Sequence, residues 1–132
     1  MQKAKLELKI RDLIMSALEE DVGSGDVTTN SVIPACLIST AKIIVKEAGV
    51  VCGLDVAERV FKLVDDRLKF VRKVEDGQSI KPGTVIAVVS GPARGILIAE
   101  RTALNFLQRM SGIATLTGKF VKAAGDGVKI LD

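Results

Sequence analysis

Arg101, Asn105 and Gln108 stand at i, i+4 and i+7, a spacing that puts three polar side chains on one line if the stretch is helical. The stretch does read as a helix over 99–110. At about 100° per residue Ala99, Ala103, Phe106, Leu107 and Met110 gather on the opposite side, a wide apolar stripe of the kind that faces a core. Leu104 lies at the edge of the polar line. Of the three polar groups only the guanidinium is permanently charged, and a small anionic ligand is the chemistry it leaves open. The plain alternatives are a solvated helix face, or a pairing of Arg101 with Glu100.

Little else in the chain competes for a chemical role. There is no histidine among the 132 residues, which removes imidazole acid-base catalysis, Ser-His-Asp and Cys-His nucleophiles and histidine metal sites within this chain. No residue presents itself as catalytic or as a metal ligand. Cys36 and Cys52 lack a CxxC spacing and sit among apolar neighbours, which reads as two buried, reduced thiols and a cytoplasmic protein. Four Phe with no Tyr or Trp give no platform for stacking bases, and a net charge of +3 from scattered Lys and Arg points to no polyanion partner. No apolar run is long enough for a membrane span, and the N-terminus does not have the form of a signal peptide.

The elements that must position Arg101 follow from periodicity. Leu6, Ile10, Leu13, Ile14, Ala17 and Leu18 form the apolar side of a first helix ending by Gly23. The segment from Asp21 through Gly23, Gly25 and Asp26 to Thr29 reads as a structural loop; it has no Lys after its glycines and does not make a P-loop. A strand is expected over 40–51, with Ala41, Ile43 and Val45 on one face and Lys42 and Lys46 on the other. A helix over 54–64 and an alternating strand over 68–74 come next. Turns at Glu75-Asp76-Gly77 and Lys81-Pro82-Gly83 bracket the way into an apolar strand over 85–89. That rhythm resembles half of a biotinyl or lipoyl carrier domain, but the modified-lysine signature of those domains is not here. Ser111-Gly112 is expected to stop the helix that bears Arg101, and a further helix over 116–124 leads through glycines into a strand over 128–131 that ends at Asp132. A helix, a glycine turn and a short strand with a carboxylate at its end is how an α/β barrel begins. The fold class is therefore α+β: an open β-sandwich with helices over 1–110, then the start of an incomplete α/β barrel over 111–132.

Taken in order, Glu20-Asp21 with Gly23 and Gly25-Asp26-Val27-Thr28-Thr29, Glu47-Ala48-Gly49-Val50 with Gly53, Asp76-Gly77, Gly83, Glu100-Arg101-Thr102-Ala103-Leu104-Asn105, Ser111-Gly112-Ile113-Ala114-Thr115 and Ile130-Leu131-Asp132 resemble quinolinate phosphoribosyltransferases nearly end to end. The resemblance covers that family's N-terminal domain and the first element of its barrel. It implies a pentosyltransferase of NAD synthesis that joins quinolinate to phosphoribosyl pyrophosphate and releases pyrophosphate and carbon dioxide, leaving nicotinate mononucleotide. Magnesium would accompany the phosphoribosyl pyrophosphate. Subunits would form dimers or multiples of dimers in which each N-terminal domain covers the partner's barrel.

By the same resemblance Arg101 matches the family's substrate-contacting arginine, which reaches the quinolinate carboxylates in the neighbouring subunit. Quinolinate is a dianion with adjacent carboxylates, and a guanidinium on a rigid helix is a planar fork suited to them. Asn105 and Gln108 are candidates for the pocket wall or the subunit interface. In the family the strand at Asp132 leads into a substrate-binding Thr-Arg-Lys segment; the sequence ends before it, and the 132-residue chain alone is expected to be inactive. Two other readings stay open at this level: a noncatalytic sandwich-type binding or assembly module, and a molybdenum-associated pyrophosphorylase relative with another substrate.

Overall fold

The structure is a computed structural model and describes residues 2–22 and 32–125. The elements run α1 (Gln2–Val22), β1 (Ile38–Ile44), β2 (Gly49–Val50), α2 (Leu54–Val64), β3 (Lys69–Arg72), β4 (Ser79–Ile80), β5 (Val85–Pro92) and α3 (Ala93–Ala124). β5 is the centre of an antiparallel three-stranded sheet in the order β1-β5-β3, while β2 and β4 form a separate two-stranded ribbon. Helices and open antiparallel sheets together make the α+β class expected from the sequence.

The strand expected over 40–51 is two strands in two sheets. Its first part pairs with β5 from Ile38 opposite Pro92, and the register shifts between Ile43 and Ile44. Its last part turns away to pair Gly49 with Ile80 and Val50 with Ser79. Alternation alone cannot report such a change of partner, because both strands keep the period of two. The inward set Ala41, Ile43 and Val45 is half-buried, as the pattern predicts.

α2 matches its expected range and shows why. Ala57, Val60 and Phe61 are buried on one side, Asp55 sits in the first turn, and Lys62 sits in the last, so both charges oppose the helix dipole favourably. The helix is entered through Gly53 at φ 100°, a left-handed conformation that L side chains rarely adopt. The Leu54 amide at the start of α2 donates to Asp76 Oδ1 at 3.1 Å, so the Asp76-Gly77 turn caps a helix 22 residues away.

α1 packs on α2 and α3 but buries less than its periodicity implies. Ile14 and Leu18 are buried, Ile10 and Ala17 half-buried, and Leu6 and Leu13 exposed. Its charged side joins an ion-pair chain. Glu7 pairs with Arg59 at 2.5 Å, Arg59 with Asp55 at 3.3 Å, and Arg72 with Asp55 at 3.0 Å and Glu58 at 2.8 Å, tying α1, α2 and β3 together.

The core lies where the β5 sheet, α2 and α3 meet. Val60 and Phe61 from α2, Phe70, Ile86 and Val89 from the sheet, and Ala99, Ala103 and Leu107 from α3 fill it. The Phe61 and Phe70 rings stand 5.8 Å apart with a tilt of 37°.

The helix bearing Arg101 does not stop at Ser111-Gly112. α3 is continuous through both residues to Ala124. Ser111 spends its hydroxyl on the distant segment between β2 and α2 rather than on breaking the helix: Oγ accepts from the Cys52 amide at 2.9 Å and donates to the Cys52 carbonyl at 3.1 Å. One turn later Thr115 Oγ1 accepts from the Val50 amide at 2.9 Å. A lone Gly inside a helix costs about 1 kcal/mol, well within what this seam and the buried stripe offset. Of the loop expected over 21–29, Asp21 and Val22 belong to the last turn of α1; the rest of it, the strand expected over 128–131 and Asp132 lie outside the described residues.

Candidate functional site: the Arg101 face of the long helix

Arg101 is carried by a helix whose buried side is held from three directions. Ala99 and Ala103 are fully buried and Leu107 is 4% exposed, as the apolar stripe predicts, while Phe106 and Met110 are half-buried. The polar line also lies where the spacing put it. Arg101, Asn105 and Gln108 are exposed, Leu104 is half-buried, and with Leu97 and Glu100 they line an open depression of ≈ 390 Å³. A second cleft of ≈ 540 Å³ adjoins it where α3 and β1 diverge, and shares Leu104 and Gln108 with it.

Three arginines around α2 and β3 are paired. Arg59, Arg67 and Arg72 each pair with a carboxylate of their own neighbourhood. These pairs raise the pKa of each guanidinium and pull the partner carboxyls of Glu7 and Asp65 below their ordinary values, in both carboxyls first through the hydrogen bond from the arginine. Arg101 takes part in no ion pair or hydrogen bond among the described residues, including none with Glu100. A guanidinium left open beside two amides, on a rigid mount, can grip a small planar carboxylate.

Other site features differ from expectation. Neither thiol is buried: Cys36 is exposed and Cys52 half-buried, and both are free. The apolar neighbours of Cys36 in sequence, Leu37 and Ile38, are themselves exposed, so local hydrophobicity misreported burial. Partial burial, with Asp76 nearby, pushes the Cys52 thiol up in pKa, which makes it less reactive. Among the described residues no group of three or more His, Cys, Asp or Glu could hold a metal ion. No helix among them is long and apolar enough to cross a membrane.

Sequence reasoning missed two contacts that hold the site. Thr102, fully buried beside Arg101, donates to Asp21 Oδ2 of α1 at 2.8 Å. The signal was present in the spacing, since Asp21 continues the line Ile14, Leu18 at i, i+4, i+7 and so falls on the packed side of α1. The second is the Ser111 and Thr115 seam to β2, whose close fit is visible at Gly49: a Cβ there would lie 2.7 Å from Thr115 Oγ1.

Residues 26–111 match the family model described as quinolinate phosphoribosyl transferase, N-terminal domain. The chain belongs to this family. A quinolinate phosphoribosyltransferase (decarboxylating) from Nicotiana glauca is 45% identical over 116 residues, which cover 87% of this chain and 33% of that protein. A nicotinate-nucleotide pyrophosphorylase (carboxylating) from Mycobacterium leprae is 41% identical over 128 residues, 92% of this chain and 44% of that protein. The crystal structure of NadC from Streptococcus pyogenes superposes with a TM-score of 0.86 at 39% identity, covering 91% of this chain and 43% of that one. The chain thus spans a third to less than half of the length of these relatives. The matched segment 26–111 includes the Arg101 face and the Ser111 contact to Cys52, while Asp21 and Thr115 lie outside it.

Proposed function

We propose that the chain is the N-terminal portion of an enzyme that transfers the phosphoribosyl group of phosphoribosyl pyrophosphate to quinolinate with decarboxylation, giving nicotinate mononucleotide, pyrophosphate and carbon dioxide. Its part in the reaction is to supply Arg101 to a substrate pocket built by a partner subunit in a homodimer or a multiple of dimers. The observation that carries this reading is the Arg101 guanidinium, open to solvent on a packed helix, unpaired among the described residues and lining one depression with the Asn105 and Gln108 amides. The family match supplies the ligand for it.

The physical role follows from the substrate's charge. Adjacent carboxylates on one ring repel each other and need dense positive charge to be held in a fixed pose. A planar fork on a helix delivers two parallel hydrogen bonds without ordering a loop, so binding energy goes into orientation. The exposed Asn105 and Gln108 amides extend the same wall with neutral donors. Magnesium in this reading arrives with phosphoribosyl pyrophosphate; among the described residues no group of three or more His, Cys, Asp or Glu could hold it. Cytoplasmic residence belongs to the same reading and is supported by two free thiols.

The test is direct. Full-length protein incubated with quinolinate, phosphoribosyl pyrophosphate and magnesium is expected to release carbon dioxide in step with nicotinate mononucleotide. Absence of quinolinate-dependent carbon dioxide release would overturn the assignment.

A further inference from the structure

Two widely separated pieces of the sequence pattern, Glu20-Asp21 and Glu100-Arg101-Thr102-Ala103, meet at one hydrogen bond. Thr102 Oγ1 donates to Asp21 Oδ2 at 2.8 Å across 81 residues, and Thr102 is fully buried. Neither residue faces the Arg101 depression. Three observations show what the bond does.

The first is the nature of the helix surface around it. Over the turn that carries Arg101 the buried side chains of α3 are Ala99, Thr102 and Ala103, with the larger Ile96 and Leu107 buried on the turns to either side. Small side chains permit close approach but form no deep ridges, so they key the rotation of a helix about its axis weakly. A hydrogen bond is directional where such packing is not. Thr102 and Arg101 are consecutive, so they point about 100° apart. Fixing the azimuth of one fixes the azimuth of the other.

The second is the position of the carboxylate. Asp21 lies in the last turn of α1, which carries no basic residue, and a negative charge there works against the helix dipole. That placement is unfavourable for α1 alone and is offset by the bond to Thr102. The third is the packing of α1 itself. Only Ile14 and Leu18 are buried along its length, and Asp21 follows them on the same line. Ile10 and Val22 pack on the core only in part, and the Glu7–Arg59 pair ties α1 to α2; the carboxylate at the end of the buried line adds a directional contact to α3 itself.

We propose that Asp21 and Thr102 are positioning residues for quinolinate binding, holding α3 at the rotation from which Arg101 reaches the substrate carboxylates. The proposal rests on the reading of Arg101 given above. It is tested in full-length protein with Thr102→Val, which keeps the branched shape and removes the hydroxyl. The quinolinate KM is expected to rise about tenfold, with kcat and the phosphoribosyl pyrophosphate KM held within about twofold. Thr102→Ser restores the wild-type KM. In an Arg101→Ala background Thr102→Val adds nothing further, because the hydroxyl acts only through the guanidinium.

Three results overturn the proposal: an unchanged quinolinate KM, a loss of kcat and melting temperature in parallel with no selective change in KM, or the same fold-change with and without Arg101. If Thr102→Val does not fold, Asp21→Ala at the half-buried end of α1, which removes the acceptor, carries the same expectations. Wild-type protein that turns over no quinolinate refutes the functional reading itself, and the positioning role with it. Normal wild-type turnover with an unaffected variant refutes the positioning role alone.

Discussion

Arg101 concentrates the functional argument at the scale of single residues. A charge-assisted hydrogen bond to a carboxylate contributes roughly 1.5 to 3 kcal/mol, so Arg101→Ala in full-length protein should raise the quinolinate KM by about one to two decades. Because the side chain is exposed and unpaired among the described residues, the same change should leave the melting temperature nearly where it was. Steady-state kinetics beside a thermal melt separate the two effects; unaltered kinetics would remove Arg101 from the site. Arg101→Lys retains the charge and loses the fork, and is expected to recover only part of the lost affinity. This residue was legible without a structure, since its side chain is set by local helix geometry. Thr102, one position on, was not. Its hydroxyl is used by Asp21, and no local pattern reports a partner 81 residues away.

At the scale of elements, the seam between β2 and α3 and the ion-pair chain on α1 and α2 make separate predictions. Ser111→Ala removes both hydrogen bonds to the Cys52 backbone, and the cost is about 1 kcal/mol because the site is only half-buried. Gly49→Ala pushes a methyl against Thr115 Oγ1 and should cost about 1 to 3 kcal/mol. Urea titration checks both; a Gly49→Ala midpoint at or above the wild-type value would show that β2 is not pressed against the helix. The ion pairs predict a pH dependence of definite sign. Glu7 and Asp65 are held below their ordinary values of 4.5 and 3.8 by Arg59 and Arg67. Their contribution is therefore fully present above about pH 4.5 and is lost as pH falls through the lowered values. Melting temperature recorded from about pH 6 to about pH 3 should decline over the acid end of that range, and less steeply in high salt because both pairs are reached by solvent. A flat profile would show that the pairs contribute nothing.

The same scale shows where sequence patterns fail for a physical reason. α2 was readable because its stripe, its entry glycine and its terminal charges all agree. α3 was misread as two helices because Ser-Gly is a stop signal only when the serine turns back on its own backbone. Here Ser111 bonds to Cys52, and the helix passes through. The division of the 40–51 strand was hidden for a related reason: a change of sheet alters the partner, not the period.

For the whole molecule the decisive question is which subunit's pocket Arg101 serves. In the proposed dimer an Arg101→Ala subunit has an intact pocket but gives its partner no arginine, while a subunit inactivated in its own pocket still offers one. Mixing the two should restore one working site per heterodimer. Recovery near zero, with exchange of subunits demonstrated, would mean that Arg101 acts within its own chain.

The sequence by itself determined the α+β class, the α2 helix, the family and the outward face of Arg101, because each depends on periodicity or on residue order over short spans. Only the tertiary structure decided that β2 leaves the first sheet, that α3 runs unbroken, and that Asp21 closes on Thr102. Each of those depends on a hydrogen-bond partner far away in the chain. A hydroxyl, a carboxylate or a strand edge has many possible partners, and which one it takes is settled when the core closes around it.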